Sequence, residues 1–255
     1  MPSPPEIHRI CVFGDSHIGS LRNALSEGLT SAPDHSEVEF WGAPGPSFRS
    51  IGWSNGAIRA KEGALEMVLQ VNGKGRTVLA PADFDTFIFY GARYRMAEFF
   101  GPYLQWVDDN GSLPSVAVLR ICARMFAQSN ITYDMACELA KAGCNVIYVP
   151  APFHTDGIID IDARGRFLGT YPGVVNASFE HRAALWSALV DVAAQDGITL
   201  VPQPEDTVSR GALTMKVFAR DGASEVGDTG HKSPAFAARW MQDVWPLTKA
   251  LAGAP

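Results

Sequence analysis

Three side chains in this sequence could together perform acyl transfer: Ser16 near the start, and Asp228 and His231 near the end. A serine hydroxyl is a weak nucleophile until a base takes its proton. In Asp228-Thr229-Gly230-His231 the three-residue spacing lets the Asp and the His lie side by side on one turn. The carboxylate can then orient the imidazole and stabilise its charged form, leaving the other ring nitrogen free for a serine proton. Taken singly, neither motif is specific. A serine at a helix start is commonly an N-cap, and so is an Asp ahead of a final helix.

The surrounding pattern says what must position these groups. Residues 7–13 read as a short buried strand that ends at Gly14-Asp15-Ser16. Residues 17–28 follow as a helix, with Ile18, Leu21, Leu25 and Leu29 at helical spacing. Further strands are expected at 37–41, 84–90, 145–149 and 198–201, and helices at 113–128, 132–142, 176–195 and 234–251. Small hairpins are expected near 65–80, around Asn72-Gly73, and near 158–171, around Ala163-Arg164-Gly165. Strands alternating with helices indicate an α/β domain with a five-stranded parallel sheet between helical layers, one domain over 1–255. Ligands in such sheets bind beyond the carboxyl ends of the strands. Gly14-Asp15-Ser16, Gly42-Ala43-Pro44-Gly45-Pro46, Gly91-Ala92-Arg93 and His154 all follow strands in this way.

Composition narrows the function classes. The chain has 255 residues, 47% hydrophobic and 19% charged, which suits a globular domain. Its formal charge of −6 and the lack of a basic block argue against a nucleic-acid partner. The short Pro-rich start, Met1–Pro5, and the brief apolar run after it do not make a secretory leader, and no run is long enough to span a membrane. The expected location is the cytoplasm. Cys11, Cys122, Cys137 and Cys144 form no CxxC pair and read as core thiols; the six His residues lack zinc spacing, so no metal is expected. No dinucleotide or P-loop glycine motif follows the first strand, and no cofactor is expected.

Taken together, the blocks resemble those of the SGNH (GDSL-like) serine hydrolases. Phe13-Gly14-Asp15-Ser16-His17 is similar to that family's first block, Gly45 to its oxyanion-hole glycine, and Asp228-Thr229-Gly230-His231 to its closing Asp-x-x-His. The resemblance spans almost the whole chain. It implies a flavodoxin-like three-layer α/β/α sandwich and hydrolysis of esters, often acyl groups on lipids or carbohydrates. Carried over, Ser16 is the nucleophile, His231 the general base and then acid, and Asp228 its orienting partner. The N–H groups of Ser16 and Gly45 would hold the oxyanion, with Gly42 a competing candidate.

One block departs from the pattern. Where the family has Gly-x-Asn-Asp, this chain has Gly91-Ala92-Arg93-Tyr94, so Arg93 stands in the place of the Asn that donates to the oxyanion. Four readings are open: Arg93 donates to the oxyanion, it binds an anionic substrate group, the site has kept binding and lost chemistry, or Arg93 pairs with an acidic neighbour. Asp15, His17, Tyr94 and His154 are candidate substrate contacts, and Phe48 and Trp53 are candidate aromatic walls. Asp108-Asp109 reads as a solvated turn ahead of Asn110-Gly111, not as a glycosidase pair. The leading expectation is an ester hydrolase. An acyltransferase with the same triad and a non-catalytic glycan- or ligand-binding protein are the alternatives, and oligomeric state is left open.

Overall fold

The computed structural model describes residues 7–161 and 166–248. Along the chain run β1 (His8–Gly14), α1 (Ile18–Ser26), β2 (Ser36–Gly42), β3 (Ile51–Ser54), β4 (Ala57–Ala60), α2 (Glu62–Asn72), β5 (Val78–Leu79) and β6 (Thr86–Arg95). Then come α3 (Met96–Asn110), α4 (Val116–Gln128), α5 (Ile131–Lys141), β7 (Asn145–Ala151), α6 (Ile158–Ile161) and α7 (Phe167–Thr170). The last third holds α8 (Phe179–Gln195), β8 (Ile198–Leu200), β9 (Val208–Arg210), β10 (Leu213–Thr214), α9 (Ala223–Val226) and α10 (Pro234–Thr248). Five strands form one all-parallel sheet in the order β2-β1-β6-β7-β8. Counting those strands alone, the order is 2-1-3-4-5, that of flavodoxin-like doubly wound sheets.

The period of two along each strand sorts the core into two layers. Ile10 and Val12 of β1, Ile88 and Tyr90 of β6, and Ile147 and Val149 of β7 pack with α1 and α10 on one face. Cys11, Phe13, Phe87, Phe89 and Tyr148 pack with α2, α3, α4, α5 and α8 on the other. Both faces are therefore covered, and β6 and β7 read as near-continuous apolar runs for that reason. Each fully buried Phe, Ile or Trp of these layers stabilises the fold by about 1.5–3 kcal/mol. No helix among the described residues is long and apolar enough to cross a membrane.

The elements that frame the site differ from expectation in three places. Residues 62–72 are a helix, and Asn72-Gly73 is not a hairpin turn: Gly73, at φ 67°, caps α2 by donating its N–H to Leu69 O. The hairpin lies earlier, β3 against β4, turned by Asn55-Gly56 with both φ angles positive, at 51° and 71°. The hairpin expected over 158–171 is absent from its described flanks, which are the short helices α6 and α7; its turn, 163–165, lies outside the described residues, as do Met1–Pro5 and the expected end of the last helix beyond 248. Asp108 and Asp109 are not in a loop but in the last turn of α3, a helix that the sequence reading did not foresee.

Candidate active site

The site is built where β2, β1 and β6 reach their carboxyl ends. The strands approach so closely there that side chains are excluded. A Cβ on Gly14 would sit 2.1 Å from Tyr90 O, and one on Gly42 would sit 1.8 Å from Gly14 O. Past this pinch the chain turns sharply, closed by Ile18 N–H donating to Asp15 O at 3.2 Å. Ser16 occupies the middle of that turn, so its own N–H stands outside the closing bond. His17, not Ser16, is the N-cap of α1. The Ser16 hydroxyl is thus free of a capping role.

The first and last blocks meet. Ser16 Oγ lies 2.7 Å from His231 Nε2. His231 Nδ1 lies 2.8 Å from Asp228 Oδ2. The other carboxylate oxygen, Oδ1, accepts the N–H groups of Gly230 at 3.0 Å and His231 at 3.1 Å. The turn therefore fixes its own carboxylate. Burial works to raise the Asp228 carboxyl, but the N–H and ring of His231 and the N–H of Gly230 outweigh it and hold the group below the ordinary range. Asp228 stays ionised, as a partner of an imidazolium must.

Two cations brace this turn, and neither was singled out from the sequence. Arg220 Nε forms an ion pair with Asp228 Oδ2 at 2.8 Å. Lys232 is 4% exposed and donates from Nζ to Thr229 O at 3.0 Å and Gly230 O at 2.7 Å. Burial pulls its ammonium down to about 7, against the opposing charge of Asp228. His154, after β7, supports the same turn through Nδ1, 2.9 Å from Thr229 Oγ1, and Thr155 N–H donates to Thr229 O at 2.9 Å.

Gly45 and Arg93 line the same cavity as Ser16. Gly45, at φ 55°, opens a 3-10 turn, and the first N–H groups of such a turn have no acceptor within it. Arg93 Nη2 donates to Gly45 O. Its backbone is held in a costly shape: Ala92 and Arg93 have φ of 42° and 57° in succession, worth about 1 kcal/mol or more apiece. Three neighbours enforce it. Thr132 Oγ1 donates to Ala92 O at 2.7 Å, Asn130 Nδ2 donates to Arg93 O at 3.1 Å, and Arg93 N–H donates to Asp15 Oδ2 at 3.2 Å. Gly42, the competing oxyanion candidate, instead pairs with Gly14 within the sheet and is absent from the cavity lining.

The remaining candidates divide cleanly. Asp15 and His17 line the cavity, but Asp15 spends its carboxylate on the N–H groups of His17 and Arg93. The His17 ring lies 5.1 Å from the His231 ring, tilted by 32°, and packs against Gly91, where a Cβ would lie 2.7 Å from the His17 Cβ. Burial pulls the His17 imidazole down to about 4, so it is neutral near pH 7. Tyr94 is not brought to the cavity: it is 1% exposed and packs among Phe126, Tyr133 and Tyr148 in the core. Phe48 is likewise core, and Trp53 packs against that core.

The cavity measures about 540 Å³. Its aromatic wall is Phe167 and Tyr171, with His154 against Phe167 at 5.1 Å. Tyr171 is seated on Gly101 of α3, where a Cβ would come within 2.7 Å of its ring. Compared with protein-family models, curated proteins and solved structures, the chain matches none.

Proposed function

We propose that the chain is a serine-dependent carboxylic ester hydrolase of the SGNH kind, acting through an acyl-enzyme. The observation that carries this reading is the unbroken relay Ser16 Oγ–His231 Nε2–Asp228, at 2.7 and 2.8 Å. Those distances are within hydrogen-bond reach of a nucleophile, its base and the group that orients the base.

The chemistry then follows from the residues. Ser16 Oγ attacks the acyl carbon while its proton passes to His231 Nε2. The Asp228 carboxylate stabilises the resulting imidazolium. The carbonyl oxygen becomes an oxyanion, and the N–H groups of Ser16 and Gly45 with the Arg93 guanidinium are the donors at hand. His231 returns the proton to the leaving alkoxide, and the alcohol departs. Water enters, gives its proton to His231 and attacks the acyl carbon; collapse frees the acid and restores Ser16. Overall, one ester and one water become one acid and one alcohol. The aromatic wall of Phe167 and Tyr171 suits an acyl group or a sugar face, so acyl groups on carbohydrates or other small alcohols are the substrate class proposed.

The test is turnover of p-nitrophenyl acetate with rapid-quench mass spectrometry. An acetyl group on the peptide that contains Ser16 is the expected result. Turnover with no acylated intermediate, or acetyl on another residue, would contradict the mechanism.

A further inference from the structure

We propose that the site selects esters carrying a carboxylate close to the scissile bond, and that Arg93 binds it. The inference rests on the hydrolase reading and adds the charge of the substrate to it.

The cavity lining carries three carboxylates, Asp15, Glu98 and Asp228, and two arginines, Arg93 and Arg95. Its acids are all engaged: Asp15 by the N–H groups of His17 and Arg93, Asp228 by His231 and Arg220, and Glu98 by Arg95 at 3.0 Å. Of the two arginines in its lining, Arg95 has Glu98. Outside the lining, Arg220 has Asp228, and Lys232 is buried against two carbonyls. Arg93 is the exception. Among the described residues no carboxylate lies within salt-bridge reach of its guanidinium, which donates to Gly45 O and lies 5.9 Å from the centre of the Phe48 ring, and its Nε is buried without a hydrogen-bond partner. Arg49, exposed and likewise without a carboxylate partner among the described residues, is near enough to act on Arg93, as is Arg95.

A guanidinium has five N–H donors in a planar fork that fits a carboxylate. Leaving it half-buried without a carboxylate is unfavourable, and burial followed by those two cations pushes Arg93 toward the neutral form, with Asp15 opposing. The backbone is nonetheless held in two successive left-handed residues to present it. A carboxylate from the substrate would complete this group. The donor that it lends to an oxyanion and the charge that it offers an anion are separable properties of one side chain.

The experiment compares kcat/KM for two matched pairs. Mono-p-nitrophenyl succinate and its methyl ester place the charge on the acyl side; 4-acetoxybenzoate and its methyl ester place it on the alcohol side. The expected result is an acid-to-neutral ratio of roughly tenfold or more in at least one pair, as for a charge-assisted contact. That ratio should fall toward one in Arg93→Gln, which keeps N–H donors and drops the charge, whatever happens to the absolute rates. Arg49→Gln should lower it about twofold, and raised salt should compress it. A wild-type ratio near one in both pairs, or a ratio untouched by Arg93→Gln, overturns the inference. If Arg93→Gln does not fold, a ratio unmoved by both Arg49→Gln and salt overturns it. Neutral esters turned over with no charge preference leave the hydrolase reading standing and end this one; no turnover of any of the four esters removes both.

Discussion

Arg220 Nε lies 2.8 Å from Asp228 Oδ2, the same carboxylate oxygen that faces His231 Nδ1. The Asp228 carboxylate is therefore shared between the His231 imidazole and an arginine. Arg220 also donates its backbone N–H to His231 O at 3.3 Å, so it touches both members of the pair. Arg220→Met should lower kcat several-fold with little change in KM, because it loosens the base without touching the substrate. It also leaves Asp228 more negative toward His231, so the acid limb of kcat/KM should move to higher pH. Since Arg220 is half exposed, the move should be a fraction of a unit. Steady-state kinetics across pH checks both; an unshifted profile with wild-type kcat would leave the pair a surface contact.

Lys232 should matter to the turn and leave a signature in stability. The pKa of the buried ammonium is about 7 in the fold and 10.5 for an ordinary lysine. Between those values the folded chain binds fewer protons than the unfolded one, so this group makes stability rise with pH across that window. Below pH 7 its full desolvation cost remains. Lys232→Met removes the slope and two hydrogen bonds. Thermal unfolding should show wild type gaining on the variant from pH 7 to 9. Activity of the variant should drop about tenfold or more as the Thr229 and Gly230 carbonyls lose their donor. Parallel Tm curves would refute the buried-charge account.

His17 should carry acid sensitivity. Burial holds it neutral, with a pKa of about 4 against 6.5 when unfolded. Stability from this group is full above pH 6.5 and is lost as pH falls through the interval to 4. His17→Leu should therefore lose less Tm than wild type between pH 7 and 4, by a few degrees. Equal losses would mean that the ring is solvated when charged.

The glycines at the pinch should not be equivalent. Gly42→Ala drives a Cβ to 1.8 Å from Gly14 O, parting β1 from β2, and should destabilise by about 3 kcal/mol or more. Gly45→Ala meets nothing within 4 Å and bears only the strain of φ 55°, so about 1 kcal/mol is expected. Denaturant unfolding of both variants separates the two causes.

The parallel strands were legible because the apolar runs of β6 and β7 are buried on both faces and meet Gly91 and Pro150. Ser16, Asp228 and His231 were legible because each sits in a local motif beside an element boundary. Asn-Gly was ambiguous: residues 55–56 turn a hairpin, while the pair at 72–73 ends a helix, and only the tertiary partner of each segment decides. Helix α3 was hidden by Gly101 and Pro102, poor helix formers, the first of which is needed to seat Tyr171. Arg220 and Lys232 carried no spacing signal, since lysine and arginine are ordinarily solvated. Tyr94 read as a substrate contact because an aromatic face suits acyl groups and sugars, yet the left-handed pair at 92–93 precedes it and its ring lies in the core.

The most direct test is fluorophosphonate labelling of wild type and Ser16→Ala, with p-nitrophenyl acetate turnover measured on the same samples. The account predicts stoichiometric labelling of wild type at Ser16, and loss of both labelling and turnover, by several orders of magnitude, in a variant that keeps its Tm. A well-folded wild type that is not labelled, or a Ser16→Ala variant that turns over at the wild-type rate, would contradict it.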